Sequence, residues 1–171
     1  MLSAESAIGK YPVEAVAAMV RIAVGAEKDP ETHRSKHRMY KGMTRIDEAV
    51  ALSVVYAANH FDQVKAIACM TETGATPLLM SRIRSPLPIF AFSRKPSTQH
   101  KMCLFKGVHS IPFDSHEYPA GEVNQRVVDE LRQRGVVKVG DLVILTKGDY
   151  VNAQGGTNTM KIVRVTEDGM V

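Results

Sequence analysis

The sequence contains no tryptophan, two cysteines, and no apolar stretch as long as a membrane span. A transmembrane helix requires about 20 consecutive apolar residues. A secretory leader requires a basic segment followed by an apolar one, and the first residues show no such pattern. Cys69 and Cys103 lie in apolar surroundings without the spacing of metal ligands, which favours a reducing compartment. We therefore expect a cytoplasmic protein with no membrane partner.

A strong excess of one charge is also missing. The 22 lysines and arginines are scattered among 18 aspartates and glutamates, and the formal net charge is only +4. Proteins that bind nucleic acid usually concentrate basic residues on one face or stripe. We therefore expect no nucleic-acid partner. The hydrophobic fraction of 44% is ordinary and is enough for one globular core.

The apolar pattern alternates between helical and strand periods. A helical stripe over about 12–27 precedes a polar stretch that reads as a linker, and a second stripe starts after Thr44, a candidate N-cap. Short apolar runs then alternate with helical segments, which predicts parallel strands with helices on both faces. We predict a three-layer α/β sandwich whose mostly parallel five-stranded sheet is closed by an antiparallel C-terminal hairpin. The predicted strands are 65–70, 88–93, 108–113, 142–146 and 159–165.

The segment after the first predicted strand is the leading candidate for a binding site. Ligands of open α/β sheets bind beyond the carboxyl ends of strands, and a helix N-terminus there favours an anion. Thr71, Thr73 and Thr76 supply hydroxyl donors, and Gly74 lets the backbone approach a phosphate closely. A purely structural interpretation remains open, in which Thr76 caps the following helix and the other threonines complete a turn.

Two further candidates carry positive charge. Lys147 opens a glycine-rich segment that includes Gly155 and Gly156, and loops of about ten residues often serve function. That segment is either a cationic lid over a ligand or simply a hairpin connection. Arg94 follows the second predicted strand, as either a phosphate partner or an exposed structural arginine.

Several ordered motifs resemble the C-terminal third of bacterial pyruvate kinase. They are the opening Met-Leu-Ser-x-Glu, the threonine-rich segment 71–76, Leu-Phe-Lys-Gly-Val at 104–108, and the glycine-rich turn leading into the last strand. The resemblance implies that residues 1–28 are the last strand and helix of the catalytic barrel. It further implies a linker at 29–43 and an effector-binding domain at 44–171.

The resemblance also implies a function. Pyruvate kinase converts phosphoenolpyruvate and ADP to pyruvate and ATP with Mg²⁺ and usually K⁺, in a barrel that needs about 250 residues. This chain has 171, and the family's catalytic lysine, metal carboxylates and phosphate-binding arginine lie upstream of the matched part. We therefore expect no cofactor in this chain and no turnover alone, with Ser3 at the rim of the active site. A homo-oligomer is expected, a tetramer in the intact family or a dimer for this part.

The effector implied by the resemblance carries phosphate. Thr71, Thr73, Gly74 and Thr76 match the family's effector-phosphate loop. Glu72 stands where members that respond to fructose 1,6-bisphosphate can have lysine, and Ala75 stands where many relatives have arginine. A carboxylate repels a second phosphate, and the missing arginine removes a bidentate donor. A sugar monophosphate or AMP is therefore favoured. The alternative is an autonomous phosphate-binding module or interaction domain without kinase activity.

Overall fold

The structure, a computed structural model, describes residues 3–29, 42–148 and 156–171. The chain divides into two compact units, residues 1–35 and residues 36–171. The first contains helices α1 (Ala4–Ile8) and α2 (Pro12–Glu27), and Pro12 suits the first turn because its missing N–H has no helical partner there. No residue of α2 is buried. Among the described residues, no helix is long and apolar enough to cross a membrane.

The second unit is built on one six-stranded sheet. Its helices are α3 (Ile46–His60), α4 (Ala75–Ile83), α5 (Pro96–Met102) and α6 (Val123–Gln133), with a 3₁₀ turn at Ser115–Glu117. Its strands are β1 (Val64–Met70), β2 (Ile89–Ser93), β3 (Val108–Pro112), β4 (Leu142–Gly148), β5 (Thr157–Thr166) and β6 (Gly169–Met170). The spatial order is β3-β2-β1-β4-β5-β6. Strands β1 to β4 are parallel, β5 is antiparallel to β4, and β6 is antiparallel to β5. The predicted α/β class is confirmed, and the two-residue strand β6 is an addition.

Apolar residues cover both faces of the sheet, as expected where strands are parallel and buried. On one face, the inward side chains of β1 and β4, including Ile67 and Ile144, pack against α3, α4 and α5. On the other face, Phe92 and Leu145 pack against α6, whose buried residues are Val123, Val127, Val128 and Leu131. Two helical layers therefore enclose one sheet, in agreement with the predicted three-layer sandwich.

The order in which strands are added to the sheet changes direction at β1. From β1 the chain moves outward to β2 and β3, and then returns to add β4 on the other side of β1. Cys69 of β1 pairs with Thr146 of β4, so the carboxyl ends of both strands lie side by side. Such a switch point leaves a crevice in which ligands of α/β proteins bind. The loop after β1 begins there, and among the described residues the end of β4 and the start of β5 lie there.

The N-cap of helix α3 differs from the predicted one. Helix α3 begins at Ile46 with Arg45 in the N-cap position, not Thr44. Asp47, which is buried, accepts the backbone N–H of Glu48 and pairs with the Arg45 guanidinium. Because Asp47 supplies the negative charge near the helix start, the threonine hydroxyl is not required as a cap.

Candidate functional site

The loop after β1 is held in shape by its own hydroxyl groups. Thr71 Oγ1 accepts the Gly74 N–H at 3.0 Å, and Thr73 Oγ1 accepts the Ala75 N–H at a longer 3.4 Å. Gly74 occupies the N-cap position of α4 with a φ of 75°, a conformation that costs other residues about 1–2 kcal/mol. The threonines and glycine therefore form a tight turn that aims the start of α4 at the crevice.

Thr76 links this loop to the hairpin after β4. Its hydroxyl lies 2.6 Å from the hydroxyl of Thr157, at the start of β5, and both residues are buried, at 3% and 7% exposure. The interpretation that Thr76 caps the helix does not match this geometry, because α4 begins at Ala75 and no side chain caps it. Thr76 instead joins two segments that are 81 residues apart in the chain.

Arg94 approaches the loop through Glu72. The Arg94 Nε donates to Glu72 Oε1 at 3.1 Å, and Lys95 Nζ lies 2.9 Å from Glu72 Oε2. Burial raises the pKa of the Glu72 carboxyl, but hydrogen bonds from Lys95 and Arg94 outweigh that effect, and the pKa lies below its ordinary value. The carboxyl is therefore ionised near neutral pH. It neutralises part of the positive charge that Arg94 was expected to offer an anion.

Helix α5 fixes the backbone of the same loop. The buried Thr98 donates its hydroxyl to the Glu72 carbonyl at 2.8 Å, and Lys101 Nζ donates to the Thr73 carbonyl at 3.4 Å. Sequence reasoning missed both residues, because they lie within a predicted helix and show no motif. Their contacts with the loop follow from the packing of α5 beside β2 and β3.

The hairpin after β4 contributes the remaining candidates. Lys147 is half-buried and pairs with Thr159 of β5. A Cβ on Gly148 would lie 2.5 Å from the Gly156 carbonyl oxygen, so the two backbones approach as only glycine permits. Gly155 lies outside the described residues. Ser3 belongs to the first unit, where its carbonyl accepts the N–H of residue 7, and its predicted role stays a prediction.

Hydroxyl groups, backbone amides and the cationic side chains of Arg94 and Lys101 lie around the described part of the loop after β1. Burial raises the pKa of the Cys69 thiol to about 12, which keeps it protonated and unreactive. Within residues 3–29, 42–148 and 156–171, no three His, Cys, Asp or Glu side chains come together as metal ligands would. Amides, hydroxyls and cations are groups that can bind an anion.

The comparisons with known proteins all point to the same family. The family model described as "Pyruvate kinase, alpha/beta domain" matches residues 48–163. Pyruvate kinase II of Salmonella typhimurium is 47% identical over 96% of this chain and 34% of its own length. Pyruvate kinase of Haemophilus influenzae is 46% identical over 93% of this chain and 32% of its own length. The chain thus spans about a third of the length of these relatives.

The fold is likewise similar to that of a solved structure. The crystal structure of a pyruvate kinase from Cryptosporidium parvum superposes with a TM-score of 0.76 at 30% sequence identity. The superposition covers 96% of this chain and 32% of that chain. The similarity therefore extends over nearly all of the present sequence.

Proposed function

Because this chain belongs to the pyruvate kinase family, whose alpha/beta domain it contains, we propose that it is the regulatory C-terminal part of such an enzyme. The intact enzyme would convert phosphoenolpyruvate and ADP to pyruvate and ATP in glycolysis. Mg²⁺ and K⁺ would act in that intact enzyme.

We infer that the crevice between β1 and β4 binds a phosphorylated effector. The observation that carries this proposal is the convergence of the hydroxyl-rich loop 71–76, the start of α4 and the beginning of β5 at one point. A phosphate oxygen is a stronger acceptor than a hydroxyl, because hydrogen bonds to a charged group are about twice as strong. The hydrogen bonds from the backbone N–H groups to Thr71 and Thr73 would then break. Both hydroxyls would donate their O–H groups to the phosphate instead.

A ligand with one phosphate suits the charges of the crevice. Glu72 is ionised and lies within the loop, and Ala75 offers no side-chain donor. We therefore favour a sugar monophosphate or AMP over a bisphosphate. The effector would favour one arrangement of the hairpin after β4 and so shift the equilibrium between active and inactive states of the enzyme.

Ligand-induced stabilisation tests this function. Fructose 6-phosphate or AMP at 100 times its Kd should stabilise the native chain by about 2.7 kcal/mol, seen as a rise in Tm. The double variant Thr71→Ala and Thr73→Ala should lose that rise, because it removes both hydroxyls of the loop.

Ser53→Ala is the matched control, since the Ser53 hydroxyl bonds only within α3, to the Ala49 carbonyl at 2.9 Å. Its response to the ligand should equal that of the wild type. An unchanged ligand response in the double threonine variant would place the phosphate site elsewhere.

We also propose that the chain forms a homo-oligomer. Among the described residues, the outer edge of β5 is paired only from Arg164 to Thr166, by β6 and Val171, and Ile162 is 40% exposed. Unpaired strand edges favour pairing with another chain. Sedimentation should therefore show a dimer or larger species, and Ile162→Asp should shift it toward monomer. A wild-type chain that sediments as a monomer at high concentration would contradict the proposal.

A further inference from the structure

Buried polar side chains concentrate around the crevice between β1 and β4. Among the described residues, five of the six buried polar side chains lie near the carboxyl ends of β1, β2 and β4 or contact the loop after β1. They are Thr76, Ser93, Thr98, Thr146 and Thr157. A buried hydroxyl is costly unless it is hydrogen-bonded, so its partner indicates what it does there.

The pair of Thr76 and Thr157 allows two arrangements of its protons. The two oxygens lie 2.6 Å apart, and either hydroxyl can be the donor. A hydroxyl has one proton and two lone pairs, so it can accept one hydrogen bond while it donates another. If Thr157 donates, the O–H of Thr76 is free to donate to a ligand. If Thr76 donates instead, a ligand meets only its lone pairs.

An anion at the start of α4 favours the first arrangement. Hydrogen bonds to a charged oxygen are about twice as strong as those between neutral groups, and the bonds of a chain polarise one another. Thr76 is the second residue of α4, in the first turn, whose backbone N–H groups have no partner within the helix. A chain of donors from Thr157 to Thr76 to the anion therefore runs in the same direction as these amides.

We propose that Thr157 is a positioning residue of the phosphate site, whose hydroxyl donates to Thr76 and directs the Thr76 O–H toward the anion. The inference rests on the proposed function, because it assigns a role within the same crevice. It also connects the ligand to the hairpin. A phosphate that strengthens the outer bond of the chain strengthens the inner bond as well, and the inner bond holds the first residue of β5.

Isothermal titration with fructose 6-phosphate tests the inference. Thr157→Val keeps the shape of the side chain and removes its hydroxyl, so binding should weaken by about three- to tenfold, as for the loss of one hydrogen bond. Thr157→Ala removes the same hydroxyl without a branched side chain and should weaken binding similarly. Thr157→Ser restores the hydroxyl, and its affinity should lie within about twofold of the wild type.

A second comparison separates positioning from a general loosening of the site. Because Thr157 acts through Thr76, the double variant Thr76→Val and Thr157→Val should bind fructose 6-phosphate no more weakly than Thr76→Val alone. A residue with only a structural role would add its own cost. Thr146→Val is the matched control, because it removes an equally buried hydroxyl from β4 that bonds to neither threonine of the pair. Its affinity should equal that of the wild type.

The outcomes distinguish this inference from the proposed function. Circular dichroism first confirms that each variant is folded. If Thr157→Val and Thr157→Ala bind fructose 6-phosphate as tightly as the wild type or more tightly, Thr157 does not position Thr76, and the phosphate site stands. A double variant that binds more weakly than Thr76→Val also overturns the inference. If the wild type binds none of fructose 6-phosphate, AMP and inorganic phosphate, the proposed function fails and the inference fails with it.

Discussion

The hydrogen bond between Thr76 and Thr157 should be measurable as an energetic coupling between the loop and the hairpin. The two hydroxyls lie 2.6 Å apart, and both residues are buried. Valine has nearly the shape of threonine, so Thr76→Val removes one hydroxyl and leaves the other buried without its partner. An unsatisfied buried hydroxyl costs about 1–3 kcal/mol. Each single variant should therefore lose about that much free energy of unfolding.

The double variant should lose less than the sum of the two single variants. Replacing both hydroxyls with methyl groups leaves no orphaned donor or acceptor, which is nearly neutral. We expect a coupling energy of at least about 1 kcal/mol from urea denaturation of the four proteins, with equal m-values. Thr159→Val is the matched control in β5, because its hydroxyl bonds only locally, to Asn158 at 3.1 Å. Additive costs for Thr76→Val and Thr157→Val would refute the reasoning.

Three other changes have defined outcomes. Gly74→Ala should cost about 1–2 kcal/mol of stability, because residue 74 has a positive φ. The new Cβ would also lie 3.3 Å from Met102 Cγ, which adds crowding. Unchanged urea denaturation would contradict the turn geometry. Arg84→Gly should raise stability by about 1 kcal/mol, because Arg84 has a φ of 75° that glycine adopts without strain, and a lower Tm would count against this. At pH 8 a thiol reagent should modify only the exposed Cys103. Cys69, with a pKa of about 12, stays protonated until far higher pH, so two fast-reacting thiols would be inconsistent with its burial.

The layers of the fold could be predicted because its signals are local. Short apolar runs alternating with helical stripes determine strands buried on both faces, and the helix of residues 12–27 has the predicted bounds. Strand β6 was missed because two residues carry no period. The cap at Thr44 was also predicted wrongly, since the buried carboxylate of Asp47 takes over the helix start through tertiary burial that the local pattern does not contain.

The candidate site was predictable in its residue types but not in their partners. The threonines and glycine of 71–76 follow a strand, and parallel topology brings the ends of β1 and β2 to one edge. Whether Arg94 would face a ligand or Glu72 depends on side-chain positions, which only the fold determines. The bond between Thr76 and Thr157 spans 81 residues, and no spacing rule connects such a pair.

The most direct test of the central claim is a titration of the ¹⁵N-labelled chain with fructose 6-phosphate, followed through the backbone amide resonances. A phosphate bound at the crevice must accept hydrogen bonds from the loop and the start of α4. The account predicts saturable shifts that are largest at Gly74, Ala75 and Thr76. Shifts centred on another part of the chain, or a folded protein whose spectrum does not respond to fructose 6-phosphate, AMP or inorganic phosphate, would contradict it.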